Sequence, residues 1–247
     1  RRKRQSSIVL GLDVVKREGA DGFVSAGNTG AVVCAATLSL RLLPGVDRPG
    51  IGIVMPTMKG TTIIIDVGAN IDPKPIHMFQ YAIMAHAYSI YILHKPNPTV
   101  GLLNVGEEET KGTEFIKEAH TLLSESKINF VGNIEGRDIY VGDTDVILCD
   151  GFVGNVILKV SESVIDTLVK LVKREIKSSI VASIGAALTM PAFNRLKKKM
   201  DYAEYGGALL LGIDGRCIIS HGSSNPKAIK NAIRVAAESK TQNLNKH

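Results

Sequence analysis

The sequence predicts an α/β protein in which strands alternate with helices around a largely parallel sheet. Short apolar runs rich in β-branched residues alternate with segments of 3.6-residue periodicity along most of the 247 residues. Two pairs of apolar runs are separated by turn sequences, Lys59-Gly60 and Asp214-Gly215, which predict two hairpins. The sheet should therefore be mixed, with a few antiparallel pairs, and we expect residues 1–247 to form a single α/β domain.

The individual elements follow from apolar periodicity and from residues that start or end helices. Ser7 is a predicted helix cap, Pro44-Gly45 ends a helix, and Pro75 and Pro226 each begin one. The predicted helices cover residues 7–18, 28–43, 75–93, 111–124, about 153–172 and 226–239, followed by a polar tail expected to fray. The predicted strands cover residues 22–25, 51–55, 61–67, 100–105, about 130–131, 145–149, 209–213 and 216–220.

The composition excludes several classes of protein. With 45% apolar residues and 9 Pro, the chain is not typical of disorder, and 3 Cys are too few for a disulfide scaffold. Cys34, Cys149 and Cys217 lie in apolar surroundings, and we expect them to be buried rather than nucleophilic. The few cysteines and the lack of an export signal favour a reducing cytoplasm. Neither uncharged run, 75–94 or 178–194, has the length and uniformity of a membrane span.

Polar, glycine-rich loops follow most of the predicted strands. In open α/β sheets, ligands bind where strands end, so these loops predict a shared cleft. Each loop alone is also explained by turn and capping chemistry. Together they supply donors and cations suited to phosphate and to polarised carbonyls, namely Asn28, Asn70, Asn104, Asn133, Asn155, Arg48, Lys74, Lys111, Arg137, Lys159 and His221.

Other kinds of site are weaker hypotheses. A carboxylate metal site drawn from Asp66, Glu107, Glu135 and Asp150 has no HxH or HExxH spacing to support it. The loop at 25–31 has neither the lysine of a Walker loop nor the GxGxxG of a dinucleotide site. His77, His86 and His94 fall on one predicted helix and are typical of packing or surface histidines. We expect neither a metal nor a cofactor.

Eight motifs in order resemble the bacterial phosphate acyltransferase family, the acyl-carrier-protein-dependent acyl-phosphate synthases of phospholipid synthesis. They are SAGNTGA (25–31), DRP (47–49), DVGAN (66–70), GLLNVGEEETKG (101–112), GNIEGRD (132–138), CDGFVGNVILK (149–159), YGGALLLG (205–212) and HGSS (221–224). Each is weak alone, but together they cover nearly the whole chain. The family has a longer N-terminal part, and this sequence starts at Arg1 without Met, so we expect an N-terminal piece to be missing.

The resemblance implies a fold and a reaction. The fold would be a three-layer α/β/α architecture similar to the isocitrate and isopropylmalate dehydrogenases and phosphotransacetylase. The reaction would move a long-chain acyl group from acyl carrier protein to inorganic phosphate, and the acyl phosphate would feed glycerol-3-phosphate acylation. Phosphate is already nucleophilic and a thiolate leaves readily, so the site must mainly position the reactants and stabilise an oxyanion, with no covalent enzyme intermediate.

On this interpretation the motif residues divide into two groups. Asn28 and Thr29 would bind phosphate with the N–H groups at the helix start, aided by Arg48 or Lys74. The expected catalytic residues are Asp66, Asn70, Lys74, Asn104, Glu107, Lys111 and His221, with Asp66 and Glu107 orienting the cations. The expected phosphate- or substrate-binding residues are Ser25, Asn28, Thr29, Gly30, Arg48, Asn133, Arg137, Asp150, Asn155 and Lys159.

Residues 170–199 carry eight Lys and Arg against one Glu, a net charge of +7, while the whole chain carries +6. The leading Arg1-Arg2-Lys3-Arg4 adds +4, so the remainder of the chain is slightly acidic. Apolar residues lie between the basic clusters, which predicts a helical hairpin at 170–200 that binds an anionic membrane surface or an acidic carrier protein. A solvated dimer helix is the alternative, and these roles can coexist. The surface residues are Lys173, Lys177, Ile184, Leu188, Phe193, Lys197, Lys198 and Lys199.

Three functional classes therefore remain open. The first is the acyltransferase, which we expect to be a cytoplasmic homodimer at the inner face of the membrane, with acyl carrier protein, inorganic phosphate and a downstream glycerol-3-phosphate acyltransferase as partners. The second is a metal- and nicotinamide-dependent dehydrogenase of the related fold. The third is a non-catalytic membrane or carrier-protein adaptor. Nucleic acid is not an expected partner, because the sequence has no RNA-binding motif and aromatic residues do not interleave with the lysines of its basic clusters.

Overall fold

The computed structural model describes residues 5–200, 204, 206–242 and 244–246, without the side chains of Lys197 and Lys246. The leading basic cluster at 1–4 and Tyr205 of the YGGALLLG motif lie outside the described residues. The strands are β1 (Phe23–Ser25), β2 (Gly50–Pro56), β3 (Thr61–Ile65), β4 (Val100–Leu103), β5 (Phe130–Ile134), β6 (Val146–Leu148), β7 (Ala208–Leu211) and β8 (Cys217–Ile219). The helices are α1 (Ser7–Lys16), α2 (Thr29–Leu40), α3 (Pro75–Tyr91), α4 (Glu114–Ser124), α5 (Gly151–Lys177), α6 (Ile180–Met200) and α7 (Pro226–Thr241).

The strands form one mixed sheet in the order β1-β8-β7-β2-β3-β6-β4-β5. β1 is parallel to β8, and β3, β6, β4 and β5 are parallel to one another. The pairs β2–β3, β2–β7 and β7–β8 are antiparallel, so both predicted hairpins are confirmed. Because of these reversals, β1, β8 and β2 end at one edge of the sheet, and β3, β6, β4, β5 and β7 end at the opposite edge.

Helices cover both faces of the sheet, which confirms the predicted α/β/α layers. Successive strand residues alternate between two cores: Ile63 and Ile65 pack with α3, α4 and α7, while Ile64 packs with α1 and α2. The start of α5 joins the second face through Val153 and Ile157. Most strand positions are buried, as expected for a sheet covered on both faces, and the less buried ones concentrate in the edge strands β1 and β5.

Several element boundaries differ from the predictions. The cap of α1 is Ser6, whose hydroxyl accepts from the Val9 N–H, and not Ser7. α2 ends at Leu40 rather than at residue 43, because Arg41 takes a positive φ of 69° that leaves the helical region. α4 begins at Glu114 after its cap Thr113, so residue 111 lies in the preceding loop instead of in the helix.

Two further expectations about burial are wrong. Cys34 lies on the exposed side of α2, whereas Cys149 and Cys217 are buried as expected. Burial raises the pKa of both buried thiols, which keeps them neutral. The polar tail is not frayed at 244–246, since Leu244 is buried and the Asn245 amide donates to the carbonyls of Ile213 and Gly215.

A helical hairpin made of α5 and α6 protrudes from the sheet. α5 has 27 residues and is therefore about 40 Å long. The Ser161 hydroxyl meets Tyr140, near the turn between β2 and β3, so the 16 residues that follow extend beyond that edge. α6 returns to the same turn, where the Lys199 ammonium donates to the Met58 carbonyl at 3.4 Å.

The hairpin has exposed apolar side chains on both helices. In α6, Ile180, Val181 and Leu188 are each about 80% exposed. In α5, Val160, Val164 and Leu168 are each at least half exposed. Among the described residues, no helix is long and apolar enough to cross a membrane.

Close packing of the start of α5 against the end of β3 predicts that Gly154 is irreplaceable. A Cβ at Gly154 would lie 1.9 Å from the Asp66 carbonyl oxygen, whereas a Cβ at Gly185 in α6 would meet nothing within 4 Å. We expect Gly154→Ala to lower the free energy of unfolding by at least about 3 kcal/mol because backbone has to move. Gly185→Ala, the matched control, should raise it by up to about 1 kcal/mol through helix propensity.

The measurement is chemical denaturation of both variants beside the unmodified protein. Equal stability of Gly154→Ala and the unmodified protein would contradict this packing of α5 on β3.

Candidate active site

The structure divides the predicted cleft between the two edges of the sheet. Loops 66–74, 104–112, 135–138 and 149–155 follow β3, β4, β5 and β6, and we call this side the four-loop edge. Loops 25–31 and 220–225 follow β1 and β8 at the opposite side, which we call the two-loop edge. The 7 residues of β2 separate the edges by about 20 Å. The prediction that all the loops share one cleft is therefore wrong.

The four-loop edge is built on the buried carboxylate of Asp66. One of its oxygens accepts from the N–H groups of Ile51, Gly68 and Ala69 at 2.9–3.1 Å. The other accepts from the Asn70 N–H at 2.6 Å. The side chain is fully buried, and burial raises its pKa, an effect that the four N–H donors oppose. Asp66 thus shapes its own loop and, contrary to expectation, does not orient Lys74.

Asn70 extends this anchor to the neighbouring elements. Its side-chain amide donates to the Pro49 carbonyl at 2.7 Å and to the Tyr81 hydroxyl at 2.6 Å. Burial, with the nearby Asp66 charge, raises the pKa of Tyr81, so the phenol stays protonated. Asn70 is a positioning residue that holds the start of β2 against α3.

The N-terminus of α5 lies beside this loop, but its donors are already used. Asp150 caps the helix by accepting from the N–H groups of Phe152 and Val153, and the Gly151 N–H donates to the Asn70 carbonyl. A ligand therefore finds no free donor among these first N–H groups. The Asn155 side chain, next to Gly68, is exposed and makes no hydrogen bond to the described residues, so it remains available.

The loop between β4 and α4 forms a second polar cluster on the same edge. The Asn104 amide donates to the Lys111 carbonyl, and the buried Asn133 amide donates to the Glu108 carbonyl, both at 3.1 Å. Arg137 pairs with Glu107 at 3.1 Å, and Lys111 pairs with Glu108 at 3.1 Å. Side-chain hydrogen bonding to Glu107 raises the pKa of Arg137. The structure brings these predicted residues together, with the two cations neutralised by acids.

Arg48 and Lys74 are the cations of this edge that have no ion pair among the described residues. Arg48 precedes Pro49, which receives the Asn70 amide, and Lys74 is the cap of α3. The Lys74 N–H donates to His77 Nδ1 at 3.0 Å. Burial lowers the pKa of His77, which keeps that nitrogen an acceptor. Sequence reasoning missed this role of His77, since no pattern distinguishes it from a packing histidine.

Lys159 is not part of this edge. It lies more than two turns into α5 and pairs with Glu162 at 3.2 Å. Its predicted place in the substrate site is not supported by the structure.

The two-loop edge has a different construction. Asn28 caps α2 by accepting from the Ala31 N–H, while the Thr29 and Gly30 N–H groups are exposed without a partner among the described residues. A Cβ at Gly222 would lie 3.8 Å from the Ala26 carbonyl, so the two loops face each other. The chain passes from β1 into α2 on one face of the sheet and from β8 into α7 on the opposite face. Ligands of α/β proteins often bind in the crevice between two neighbouring strands whose helices lie on opposite faces.

The remaining predicted residues of this edge have local partners. The Ser25 hydroxyl accepts from the Gly27 N–H at 3.2 Å. His221 Nδ1 lies 2.6 Å from the Ser223 hydroxyl. The described residues contain no group of three or more His, Cys, Asp or Glu that could hold a metal ion.

Solved structures share this architecture. A phosphotransacetylase from Streptococcus pyogenes aligns with a TM-score of 0.62 at 19% identity, covering 94% of this chain and 66% of that one. At this identity the likeness shows the fold alone. The chain is thus an α/β/α protein with the fold found in a phosphotransacetylase.

Sequence comparison then identifies the family. The sequence model of a family described as "Fatty acid synthesis protein" matches residues 1–247. A "Phosphate acyltransferase" of Aquifex aeolicus (strain VF5) is 54% identical over 245 residues, which are 99% of this chain and 73% of that protein. Another, from Geotalea uraniireducens (strain Rf4), is 49% identical over 245 residues, 99% of this chain and 71% of that protein. The chain belongs to the phosphate acyltransferase family, acyltransferases of lipid synthesis.

The anchoring role of Asp66 predicts a stability loss on amide substitution. In Asp66→Asn, the new NH₂ group must face at least one backbone N–H in either side-chain orientation. We expect the free energy of unfolding to fall by about 1–3 kcal/mol, as for other buried donors left unpaired. Asp72→Asn, an exposed change in the same loop, should leave stability within about 0.5 kcal/mol.

Urea denaturation of the two variants measures the difference. If both variants unfold at the same urea concentration, the Asp66 carboxylate is not the anchor of this edge.

Proposed function

We propose that this chain catalyses the transfer of a long-chain acyl group from acyl carrier protein to inorganic phosphate at the four-loop edge. Family membership supports acyl transfer. We place the site at this edge because Arg48 and Lys74, which have no ion pair among the described residues, lie beside the loop that Asn70 anchors. A phosphate needs cations that are not already neutralised by carboxylates, and Lys111 and Arg137 are neutralised.

The proposed acyl transfer requires the two substrates to be positioned and does not require a strong base. A phosphate oxygen attacks the thioester carbonyl carbon, forming a C–O bond and a tetrahedral oxyanion. The oxyanion collapses, the C–S bond breaks, and the carrier thiolate leaves and takes a proton from water. Phosphate is partly dianionic near neutral pH, so the site gains most by holding it close to the carbonyl and by stabilising the oxyanion.

The four-loop edge supplies groups for both tasks. Arg48 and Lys74 hold the phosphate, and the rigid Asp66–Asn70 loop fixes the backbone between them. The Asn155 side chain, at the start of α5, donates to the carbonyl oxygen as negative charge develops on it. The loop between β4 and α4, on the other side of this edge, is held in place by hydrogen bonds and ion pairs of Asn104, Asn133, Glu107, Arg137 and Lys111.

The two-loop edge is the second candidate for the phosphate. The unpartnered Thr29 and Gly30 N–H groups at the start of α2 suit an anion, as sequence analysis predicts. About 20 Å of sheet separates them from Arg48 and Lys74, so one phosphate cannot contact both groups within one chain. His221 and Ser25 belong to this alternative.

The dehydrogenase and adaptor alternatives gain less support. The family match is to acyltransferases, and neither a carboxylate cluster nor a dinucleotide motif is found in the described residues.

The α5–α6 hairpin is the proposed docking surface of the enzyme. Its tip combines exposed Ile180, Val181 and Ile184 with exposed Lys173 and Lys177, a combination that favours an anionic membrane surface. The cations toward its base follow Leu188 and Phe193 along α6 and suit an acidic carrier protein: Arg195, Lys198 and Lys199. This gives a cytoplasmic enzyme that associates with the inner face of the membrane, where a glycerol-3-phosphate acyltransferase would receive the product.

A second copy of the chain is the proposed partner for α5. Val160, Val164 and Leu168 repeat at helical spacing and are each at least half exposed in one chain. Covering this stripe in a homodimer would remove apolar surface from water, and would place two hairpin tips side by side, which strengthens membrane binding by multivalency.

Activity measurements on paired variants test the site. With acyl carrier protein thioester and phosphate, without metal or nicotinamide, the unmodified protein should form acyl phosphate. Arg48→Gln and Lys74→Gln should each raise the KM for phosphate about tenfold or more through loss of a charged contact. Asn155→Ala should instead lower kcat, by about 100-fold for one lost oxyanion donor.

Lys117→Gln serves as the control, because Lys117 lies on α4 and its ion pair within the described part of the chain is with Glu114. If Arg48→Gln and Lys74→Gln keep full activity while Asn28→Ala loses phosphate affinity, the phosphate-binding site is at the two-loop edge and not at the four-loop edge. Absence of acyl phosphate with every variant and with the unmodified protein would reject the reaction.

Charge reversal on the hairpin tests membrane docking. The variant Lys173→Glu/Lys177→Glu should lose sedimentation with vesicles containing anionic lipid, since each lysine near such a surface contributes about 1 kcal/mol. The control Lys117→Glu/Lys127→Glu makes the same charge change elsewhere on the protein. Equal sedimentation of the two variants would argue against the hairpin as the membrane-binding element.

A further inference from the structure

A cavity of about 690 Å³ lies at the amino ends of β1 and β8, and its lining contains none of the residues of the proposed active site. It is bounded by the end of α1, the end of α2, the turn between β7 and β8, and the C-terminal segment near Asn245. Its size is that of a small-molecule site. Its charged lining residues are Lys16, Glu18, Asp21, Arg41, Asp214 and Arg216.

Arg216 contributes a guanidinium group to the lining of the cavity. One terminal nitrogen lies 3.4 Å from the Asp21 carbonyl oxygen, and the group makes no ion pair among the described residues. The Nε atom is buried without a hydrogen-bond partner in the described part of the chain, so it is closed to the cavity and a ligand there would meet the terminal nitrogens. A guanidinium with unused donors on a cavity wall is suited to binding an oxyanion.

Backbone strain is concentrated around the same cavity. Of the three non-glycine residues with positive φ in the described chain, Glu18 at 59° and Arg41 at 69° both line it. Arg41 combines this φ with a ψ of 175°, a conformation that is essentially confined to glycine. Such strain is found preferentially at ligand sites, where it holds a side chain in place.

The charged groups of the cavity are largely unpaired. Among the described residues, Lys16 and Arg41 make no ion pair, and neither do the carboxylates of Glu18 and Asp214. Asp21 is already paired with Lys240 at 2.5 Å. The lining therefore offers three cations and two free carboxylates, a mixture that suits neither a bare anion nor a metal ion.

The walls of the cavity are held by backbone contacts. The Asp214 N–H donates to the Arg41 carbonyl at 3.0 Å, which links the end of α2 to the turn between β7 and β8. The Asn245 amide donates to the carbonyls of Ile213 and Gly215 at 3.1 and 3.2 Å. The two guanidinium groups are thus carried by elements with a fixed separation, which lowers the cost of ordering a site.

We propose that this cavity binds a phosphorylated sugar or polyol. Arg41, Arg216 and Lys16 bind the phosphoryl oxygens through their terminal nitrogen atoms. The free carboxylates of Glu18 and Asp214 accept hydrogen bonds from the hydroxyl groups of the ligand. The proposal does not rest on the proposed acyl transfer, because none of the lining residues lies in the loops of the four-loop edge or of the two-loop edge.

Titration of the ¹⁵N-labelled protein, followed at the Arg216 Nε–H resonance, tests the site directly. The resonance is assigned by its loss in Arg216→Lys. Ribose 5-phosphate should shift it at a concentration at least tenfold lower than inorganic phosphate does, and ribose should leave it unchanged. Because the probe is local, phosphate bound at the active site does not produce this shift.

Arg41→Gly separates binding from folding. Glycine adopts the strained conformation without penalty, so this variant should unfold at a higher temperature while binding ribose 5-phosphate at least tenfold more weakly. Arg17→Gln removes a neighbouring charge outside the cavity and should bind normally. The proposal is overturned if the resonance does not respond, if phosphate and ribose 5-phosphate act at the same concentration, or if Arg41→Gly binds as tightly as the unmodified protein.

Discussion

The buried carboxylate of Asp66 is the interaction on which the rest of the site depends. Its two oxygens collect four backbone N–H groups from β2 and from its own loop. That loop in turn supplies the Asn70 carbonyl to the start of α5 and the Asn70 amide to Pro49 and Tyr81. The glycines of α5 are needed because a side chain there would collide with the same loop. One charged group, satisfied only by backbone, thus sets the relative positions of β2, β3, α3 and α5.

Sequence patterns were sufficient to predict the elements, but not the arrangement of their ends. Periodicity located the helices and both hairpins, because each depends on nearby residues. Which edge a loop occupies depends on strand order and direction, and three antiparallel pairings in the middle of the sheet separate loop 25–31 from loop 66–74. Boundaries also differed where a single residue overrode propensity, as Arg41 does at the end of α2.

The chemical types of the site residues were predictable, whereas their electrostatic state was not. Asn, Lys, Arg and Glu in strand-end loops indicated an anion site from sequence. Only the structure shows that Glu107 and Glu108 neutralise Arg137 and Lys111, which leaves Arg48 and Lys74 as the cations of this edge without an ion pair to any described residue. His77 gave no sequence signal because its role, accepting the Lys74 N–H, depends on one contact at a helix start.

The uninterrupted length of α5 has a consequence for how substrate reaches the enzyme. The helix starts at the anchored four-loop edge and continues for about 40 Å to the apolar tip, so it acts as a rigid spacer. A protein docked by that tip would hold its catalytic edge farther from the lipid than the whole thickness of a hydrocarbon core, about 30 Å. An acyl chain still embedded in the bilayer would not span that distance. If the tip docks and the four-loop edge is the active site, both as proposed, this geometry favours acyl groups that arrive from the aqueous side on a mobile carrier.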